Sequence, residues 1–292
     1  MNEKKNYIYH LIAILTVGVW GLTFISTKVL INNGLSPEEI FLLRFLMAYA
    51  GIWFISPRKL FANSWKDECV FFLCGITGGS FYFLTENTAL EITLVTNVAF
   101  ILCTTPLLTT IFSLMIYKKE KATAGLITGS LMALVGVAMV VYNGNFILKI
   151  SPLGDFLTLL AALSWVFYSL IIKNMTEKYD TLFITRKVFF YGVLTILPVF
   201  LLKPWHTDFS LLLKPSVLLN LLFLGVVASL VCFAVWNVVL KKLGTVRASN
   251  YLYLNPLFAL AGSAMLLNEQ VTAIALVGMG CILGGVYMAG KK

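Results

Sequence analysis

Charge is scarce in this chain. Of 292 residues only 12% are Asp, Glu, Lys or Arg, against roughly a quarter in soluble domains, which excludes an ordinary water-soluble globule. Histidine is almost missing, with His10 and His206 alone. The five cysteines (Cys69, Cys74, Cys103, Cys232, Cys281) form no CxxC pair and have no histidine beside them, so buried free thiols are expected rather than a metal site or a disulfide scaffold. Walker A, HExxH and GxSxG signatures and paired membrane aspartates are also lacking. The expectation is therefore no metal, no cofactor, no catalytic residue and no nucleotide-driven pump. What is there instead is 59% hydrophobic and carries 22 Phe, 12 Tyr and 6 Trp. That is too apolar for disorder and describes an all-α polytopic membrane protein.

Continuous apolar runs such as 11–30 and 188–202 lack the alternation of a transmembrane barrel. At about 20 residues per helical span the chain has room for roughly ten spans and little else. Apolar runs punctuated by Pro, Gly and charge predict helices near 7–31, 37–56, 68–90, 93–117, 123–142, 152–173, 181–202, 215–241, 245–268 and 271–289. Lys4 and Lys5 precede the first run as in a signal peptide, but the run is too long and has no small-residue cleavage site, so it is expected to stay attached.

The net charge of +9 resides in connections between spans. One alternate set holds Lys4, Lys5, Arg58, Lys59, Lys66, Lys118, Lys119, Lys121, Lys173, Lys178, Lys241, Lys242, Arg247, Lys291 and Lys292; the other holds only Lys149, Lys203 and Lys214. This asymmetry predicts a cell inner (plasma) membrane protein with both termini cytoplasmic. Charge split among short segments argues against a nucleic-acid partner, leaving the lipid bilayer and a small-molecule substrate, with a proton as candidate coupling ion.

The second half repeats the first. At an offset of 150 positions Gly75 aligns with Gly225, Phe83 with Phe233, Asn87 with Asn237, Leu90 with Leu240 and Pro106 with Pro256. At 149, Glu120 meets Glu269, Thr123 meets Thr272, Gly129 meets Gly278 and Gly136 meets Gly285; at 145, Trp20 meets Trp165 and Lys28 meets Lys173. Two five-helix repeats follow, 1–145 and 146–292. Five is odd, so the copies are inverted in the membrane, and two such halves can rock about a shared site near the midplane. On that scheme Lys28 and Asn87 lie outside, and Lys173 and Asn237 inside.

The segments Trp20-Gly21-Leu22-Thr23-Phe24, Leu43-Arg44-Phe45, Glu86-Asn87-Thr88-Ala89-Leu90, Trp236-Asn237 and Tyr251-Leu252-Tyr253-Leu254-Asn255-Pro256 resemble the EamA-type family of the drug/metabolite transporter superfamily. Leu266-Leu267-Asn268-Glu269-Gln270 resembles the family's LLGE element, with Asn in the usual Gly position. The likeness runs through both halves. It implies ten transmembrane helices, termini inside, a cavity lined largely by spans 1, 3, 4, 6, 8 and 9, and export of metabolites such as amino acids.

Several residues stand out as site candidates. Pro106 and Pro256 interrupt their helices at equivalent repeat positions and free a backbone carbonyl, with Thr104, Thr105 and Asn255 placing polar groups near the bilayer centre. They line a cavity or form packing kinks. Glu86 is a carboxylate inside a span: a coupling or substrate-amine site, an ion pair with Lys28 or Arg44, or a group in a hydrated vestibule. Arg44 serves gating or anion contact, or snorkels; Arg186 and Lys187 are expected to snorkel to the headgroups. Trp20 and Trp165 fall within spans, away from the interfacial belt, as cavity aromatics or lipid-facing filler. Tyr82, Asn87, Asn97, Asn237, Asn250, Tyr251 and Tyr253 add polar tips. Gly125 and Gly129, with Gly280 and Gly284, have the small-xxx-small spacing of close helix packing, expected within the chain. Glu120 and Glu269 sit beside span ends as solvated groups or caps.

Together these readings favour a secondary active exporter of zwitterionic or amphipathic organic solutes, with Glu86, Arg44 and Lys28 as coupling or gating residues. A membrane-embedded enzyme or lipid-handling protein using the same cleft is the alternative. Monomer and homodimer both stay open.

Overall fold

In the computed structural model, residues 3–117, 123–142, 151–267 and 272–290 are described. Glu120, Asn268, Glu269 and Gln270 lie outside them, as do Lys118, Lys119, Lys121, Lys149, Lys291 and Lys292. The regular elements among the described residues are all helical. They are α1 (Glu3–Asn32), α2 (Pro37–Ile52), α3 (Trp65–Ile92), α4 (Val95–Ile116), α5 (Ala124–Tyr142), α6 (Pro152–Lys178), α7 (Thr181–Leu202), α8 (Phe209–Leu212), α9 (Pro215–Leu243), α10 (245–267) and α11 (Ala273–Gly290). Eight stretches are long and apolar enough to cross a membrane, including α1, α3, α9 and α11. The chain is thus a multi-pass, all-helical membrane protein.

Helix starts follow local chemistry. Ser36 caps α2 in a reciprocal capping box with Glu39, Ser64 accepts from the Asp67 amide at the start of α3, and Asp180 accepts from Leu182 and Phe183 at the start of α7. Gly34 and Gly244 turn the chain at φ +100° and +82°, conformations open to glycine. Two long helices carry a π-helical stretch, Ile76–Ser80 in α3 and Phe223–Val231 in α9. These fall at equivalent positions of the sequence repeat. Two others break just before their prolines: α4 at Cys103 and Thr104, α10 through the 3₁₀ turn Tyr251–Leu254. Proline is accepted there because the amides of a helix's first turn have no carbonyl within the helix to bond.

Helices α5 and α11 meet through glycine. A Cβ on Gly129 would lie 2.5 Å from the Gly285 carbonyl oxygen, and one on Gly136 would lie 2.6 Å from that of Gly278. The pairing of 129 with 285 and of 136 with 278 makes the two helices antiparallel. The close packing is within the chain, as the spacing predicts, but the glycines that carry it are seven residues apart. Gly280 faces open space, and Gly284 meets only the tip of Met132.

Arg186 and Lys187 depart from expectation. Both are buried, and neither snorkels. Arg186 bonds Ser56 Oγ at 3.0 Å and the carbonyls of Pro57 and Lys59, strapping the α2–α3 connection onto α7. Lys187 pairs with Glu68 at 2.7 Å, and the same carboxylate accepts from Tyr191 and from the Ala62 amide. Buried charges need such partners. Beside them Asp67 accepts from Tyr179 at 2.7 Å and Lys178 at 3.1 Å. At the opposite end Glu39 accepts from the amides of His206 and Thr207 and from the Thr207 hydroxyl, strapping the α7–α9 connection onto α2.

Candidate functional site

A packed aromatic cluster occupies the middle of the molecule, and repeat-equivalent rings touch there. Trp20 and Trp165 meet edge-on, with centroids 5.4 Å apart at 88°, and Phe83 lies 6.2 Å from Phe233. Trp236 and Phe189 complete the cluster.

A cavity of about 50 Å³ opens beside this cluster. Trp20, Thr23 and Phe24 line it from α1, Arg44 from α2, and Tyr82, Phe83 and Glu86 from α3. Leu102 and Thr105 come from α4, Trp165 from α6, Phe233 from α9, and Leu252 and Asn255 from α10. Leu102 and Leu252 stand four residues before Pro106 and Pro256, and the Leu252 carbonyl takes the Asn255 amide. A void of this size holds on the order of a few waters, whereas pockets for organic ligands run to about 300 Å³ or more. The cavity is smaller than such a pocket.

The polar groups of the cavity are anchored from behind. The Tyr82 hydroxyl donates to Glu86 Oε1 at 2.9 Å. Arg44 donates through Nε to Ser229 Oγ at 2.9 Å, and its guanidinium carbon stands 4.2 Å from the Phe83 ring centre. Trp20 Nε1 donates to the Ala228 carbonyl at 3.0 Å. Trp165 Nε1 and Asn255 Oδ1 are buried without a protein partner. Of the alternatives for Glu86, the ion pair is not made: among the described residues neither Lys28 nor Arg44 comes within ion-pair reach of it, and Lys28 instead donates to the Leu90 carbonyl at 2.6 Å.

Of the residues singled out in the sequence, Trp20, Arg44, Tyr82, Glu86, Thr105, Trp165 and Asn255 come together around this cavity. The others lie elsewhere. Asn87 bonds the Pro37 carbonyl at 3.1 Å, and Asn237 accepts from Tyr168 and donates to Thr185. Asn97 donates to Thr93, Tyr251 is paired with His10, and the Pro106 carbonyl accepts from Thr110. Pro256 and Lys28 are also outside the lining. Thr23, Phe24, Phe83, Leu102, Phe233 and Leu252 line the cavity without having been singled out. Leu102 and Leu252 could have been found by counting back one helical turn from each proline. Phe83 and Phe233 carried the repeat signal and nothing else.

The family pattern of the EamA-like transporter family matches residues 7–142 and 152–290. An uncharacterized transporter of Archaeoglobus fulgidus is 25% identical over 100% of this chain and 99% of its own length. A "Probable amino-acid metabolite efflux pump" of Escherichia coli is 25% identical over 95% of this chain and 93% of its own, and one of Salmonella typhimurium is 27% identical over 99% and 95%. A solved crystal structure superposes with a TM-score of 0.75 over 96% of this chain and 97% of that one at 18% identity, a likeness of fold.

Proposed function

The chain belongs to the EamA-like transporter family, and on that premise we propose that it is a secondary active transporter exporting small organic metabolites such as amino acids by alternating access. The observation that carries this reading is a cavity built from both halves of the repeat, lined by Trp20, Tyr82 and Glu86 from one and Trp165, Phe233 and Asn255 from the other. The ten-span, inverted-repeat scheme, with halves 1–145 and 146–292, is supported by the ring contacts between equivalent residues and by the antiparallel glycine pairs of α5 and α11. Rocking of the halves about that seam opens the cavity to either side in turn, driven by a proton or by the solute's own gradient. Orientation in the inner membrane, with cytoplasmic termini, follows from the excess of Lys and Arg in one set of connections. One chain holds both halves, so a monomer suffices for the cycle.

Lys28 is the gating candidate, because its bond to the Leu90 carbonyl ties α1 to the end of α3 four residues beyond Phe24 of the cavity wall. Asn87, Asn97, Asn237, Tyr251, Pro106 and Pro256 support the helices that move. Radiolabelled amino acids and nucleosides in proteoliposome counterflow test the reading. Saturable uptake accelerated by solute on the opposite side is expected; release of a chemically altered product without vectorial movement would refute it.

A further inference from the structure

Helices α3 and α7 meet through glycine. A Cβ on Gly75 would lie 2.4 Å from Tyr191 Cβ and 2.9 Å from the Gly192 amide nitrogen, and one on Gly79 would lie 3.3 Å from Gly192 Cα. Past that contact both helices lose regularity. Gly79 leaves helical geometry at φ −128° and ψ −108°, and α7 is interrupted at Leu197 and Pro198. A second cavity, of about 480 Å³, lies between the two helices there. Its walls are Phe72, Ile76, Phe81 and Leu84 from α3 and Leu194 and Val199 from α7. Phe72, Phe81 and Leu194 are 39%, 41% and 45% exposed, on stretches long and apolar enough to cross a membrane, so the groove opens sideways onto the hydrocarbon.

The hydroxyls of the groove are already paired. Ser80 Oγ and Thr195 Oγ1 stand 2.7 Å apart, and Thr195 also donates to the Tyr191 carbonyl at 2.7 Å. An apolar recess does not hold water, and an unfilled one forfeits the dispersion contacts of its lining. Its volume is that of a site for an organic ligand, about 300–1,000 Å³. In a bilayer the apolar group at hand is the lipid acyl chain. Lys203 follows Val199 by one turn at the end of α7, where its side chain is 60% exposed and can meet a lipid phosphate. We propose that the α3–α7 groove binds one phospholipid, its acyl chain lying between the two helices and its phosphate at Lys203.

The other half of the chain shows that the fold does not require this groove. The counterpart of α7 is α2, with Phe41 matching Phe183, Arg44 matching Arg186 and Tyr49 matching Tyr191 at an offset of 142. The counterpart of α3 is α9, in which the offset of 150 puts Leu230 where Ser80 stands. The α2–α9 seam is filled by its own side chains: a Cβ on Gly51 would lie 2.4 Å from Leu230 Cδ2, and one on Gly225 would lie 2.4 Å from Met47 Cε. Where one seam has a leucine the other has a serine, and the space between α3 and α7 is left for an outside chain. Because α3 lies in 1–145 and α7 in 146–292, that chain is a wedge between the two repeats, whatever solute is carried.

The test reconstitutes the full chain in vesicles holding a small share of phosphatidylcholine with a diazirine near the end of one acyl chain. After irradiation, labelled peptides are mapped by mass spectrometry. Residues 76–84 are expected to be labelled at least threefold more than 226–234, their repeat equivalents at similar depth. A diacylglycerol with the same diazirine, which lacks the phosphate, is expected to label 76–84 at less than half the phospholipid level. Ser80→Leu is expected to lower labelling of 76–84 to that of 226–234, and Lys203→Gln to lower phospholipid labelling to that of the diacylglycerol. Equal labelling of the two stretches would mean ordinary surrounding lipid and would overturn the proposal. Labelling of 76–84 below 226–234 would mean that a second copy of the chain covers the groove, and would overturn it too. So would diacylglycerol labelling as strong as that of the phospholipid, or a folded Ser80→Leu or Lys203→Gln protein labelled as before. The comparison of stretches and of probes within the unsubstituted protein decides the matter even where a variant does not fold.

Discussion

Asn87 and Asn237 occupy equivalent positions of the repeat and are both fully buried, but they are bonded differently. Asn237 accepts from the Tyr168 hydroxyl at 2.9 Å and donates to Thr185 at 2.8 Å, whereas Asn87 makes one bond and leaves its Oδ1 without a partner. Replacing Asn237 by Leu strands the Tyr168 hydroxyl in the core and is expected to cost about 2–3 kcal/mol. Asn87→Leu removes one bond and an already unpaired oxygen, and is expected to cost about 1 kcal/mol or less. Thermal melting of the two variants in one detergent should rank them in that order; equal losses would contradict it. Glu68 and Lys187 carry a sharper expectation. Glu68→Gln leaves a buried ammonium without its counterion and should cost about 3–5 kcal/mol, while Glu68→Gln with Lys187→Met should recover much of that loss. Melting curves of the single and double variants decide it.

Among the elements, the α5–α11 pair is the most constrained by its glycines. A methyl group at Gly136 would press on the backbone of Gly278 and Ile282 at 2.6 and 2.7 Å, and backbone has no rotamer with which to yield. Gly136→Ala is expected to destabilise by about 1–3 kcal/mol. At Gly280 nothing lies within 4 Å, so Gly280→Ala should be neutral or gain up to about 1 kcal/mol from helix propensity. A melting series over the two sites checks both signs. The spacing alone pointed to Gly125, Gly129, Gly280 and Gly284; of these only Gly129 meets opposing backbone at overlap distance. A four-residue glycine step marks one face of a helix but not which face is turned inward, and that depends on the crossing angle.

For the whole molecule the central question is sidedness. The α1–α2 turn and the α7–α9 connection lie together at one end, joined through Glu39 to His206 and Thr207. The α2–α3 connection and the α6–α7 turn lie at the other, joined through Asp67 to Lys178 and Tyr179. Cysteines introduced one at a time at Gly34, His206, Arg58 and Glu177, with Cys69 replaced by Ser, should react with an impermeant thiol reagent in two groups. Those at 34 and 206 should label from one face of oriented vesicles, and those at 58 and 177 from the opposite face. Mixed labelling within a group would break the topology.

Membrane residence and most helix boundaries could be read from the chain before any coordinates, and matches at fixed offsets raised the expectation of an internal duplication. Each depends on apolar run length, Pro and Gly punctuation and residue identity at fixed offsets, and these are local or periodic properties. The equivalence of Trp20 and Trp165 was visible in the same way, because an offset names equivalent residues, but their contact was not. What lies against what was not visible. Depth along a helix made Arg186 and Lys187 look like headgroup anchors, yet Ser56, Pro57, Lys59 and Glu68 come to meet them from α3 and the connection before it. Glu86 was legible as an anomaly, but its separation from Lys28 and Arg44 depended on how α1, α2 and α3 rotate about their own axes. Partners of a buried charge are set by long-range packing, which sequence spacing does not encode, so only the folded arrangement decided which charges were left to face the cavity.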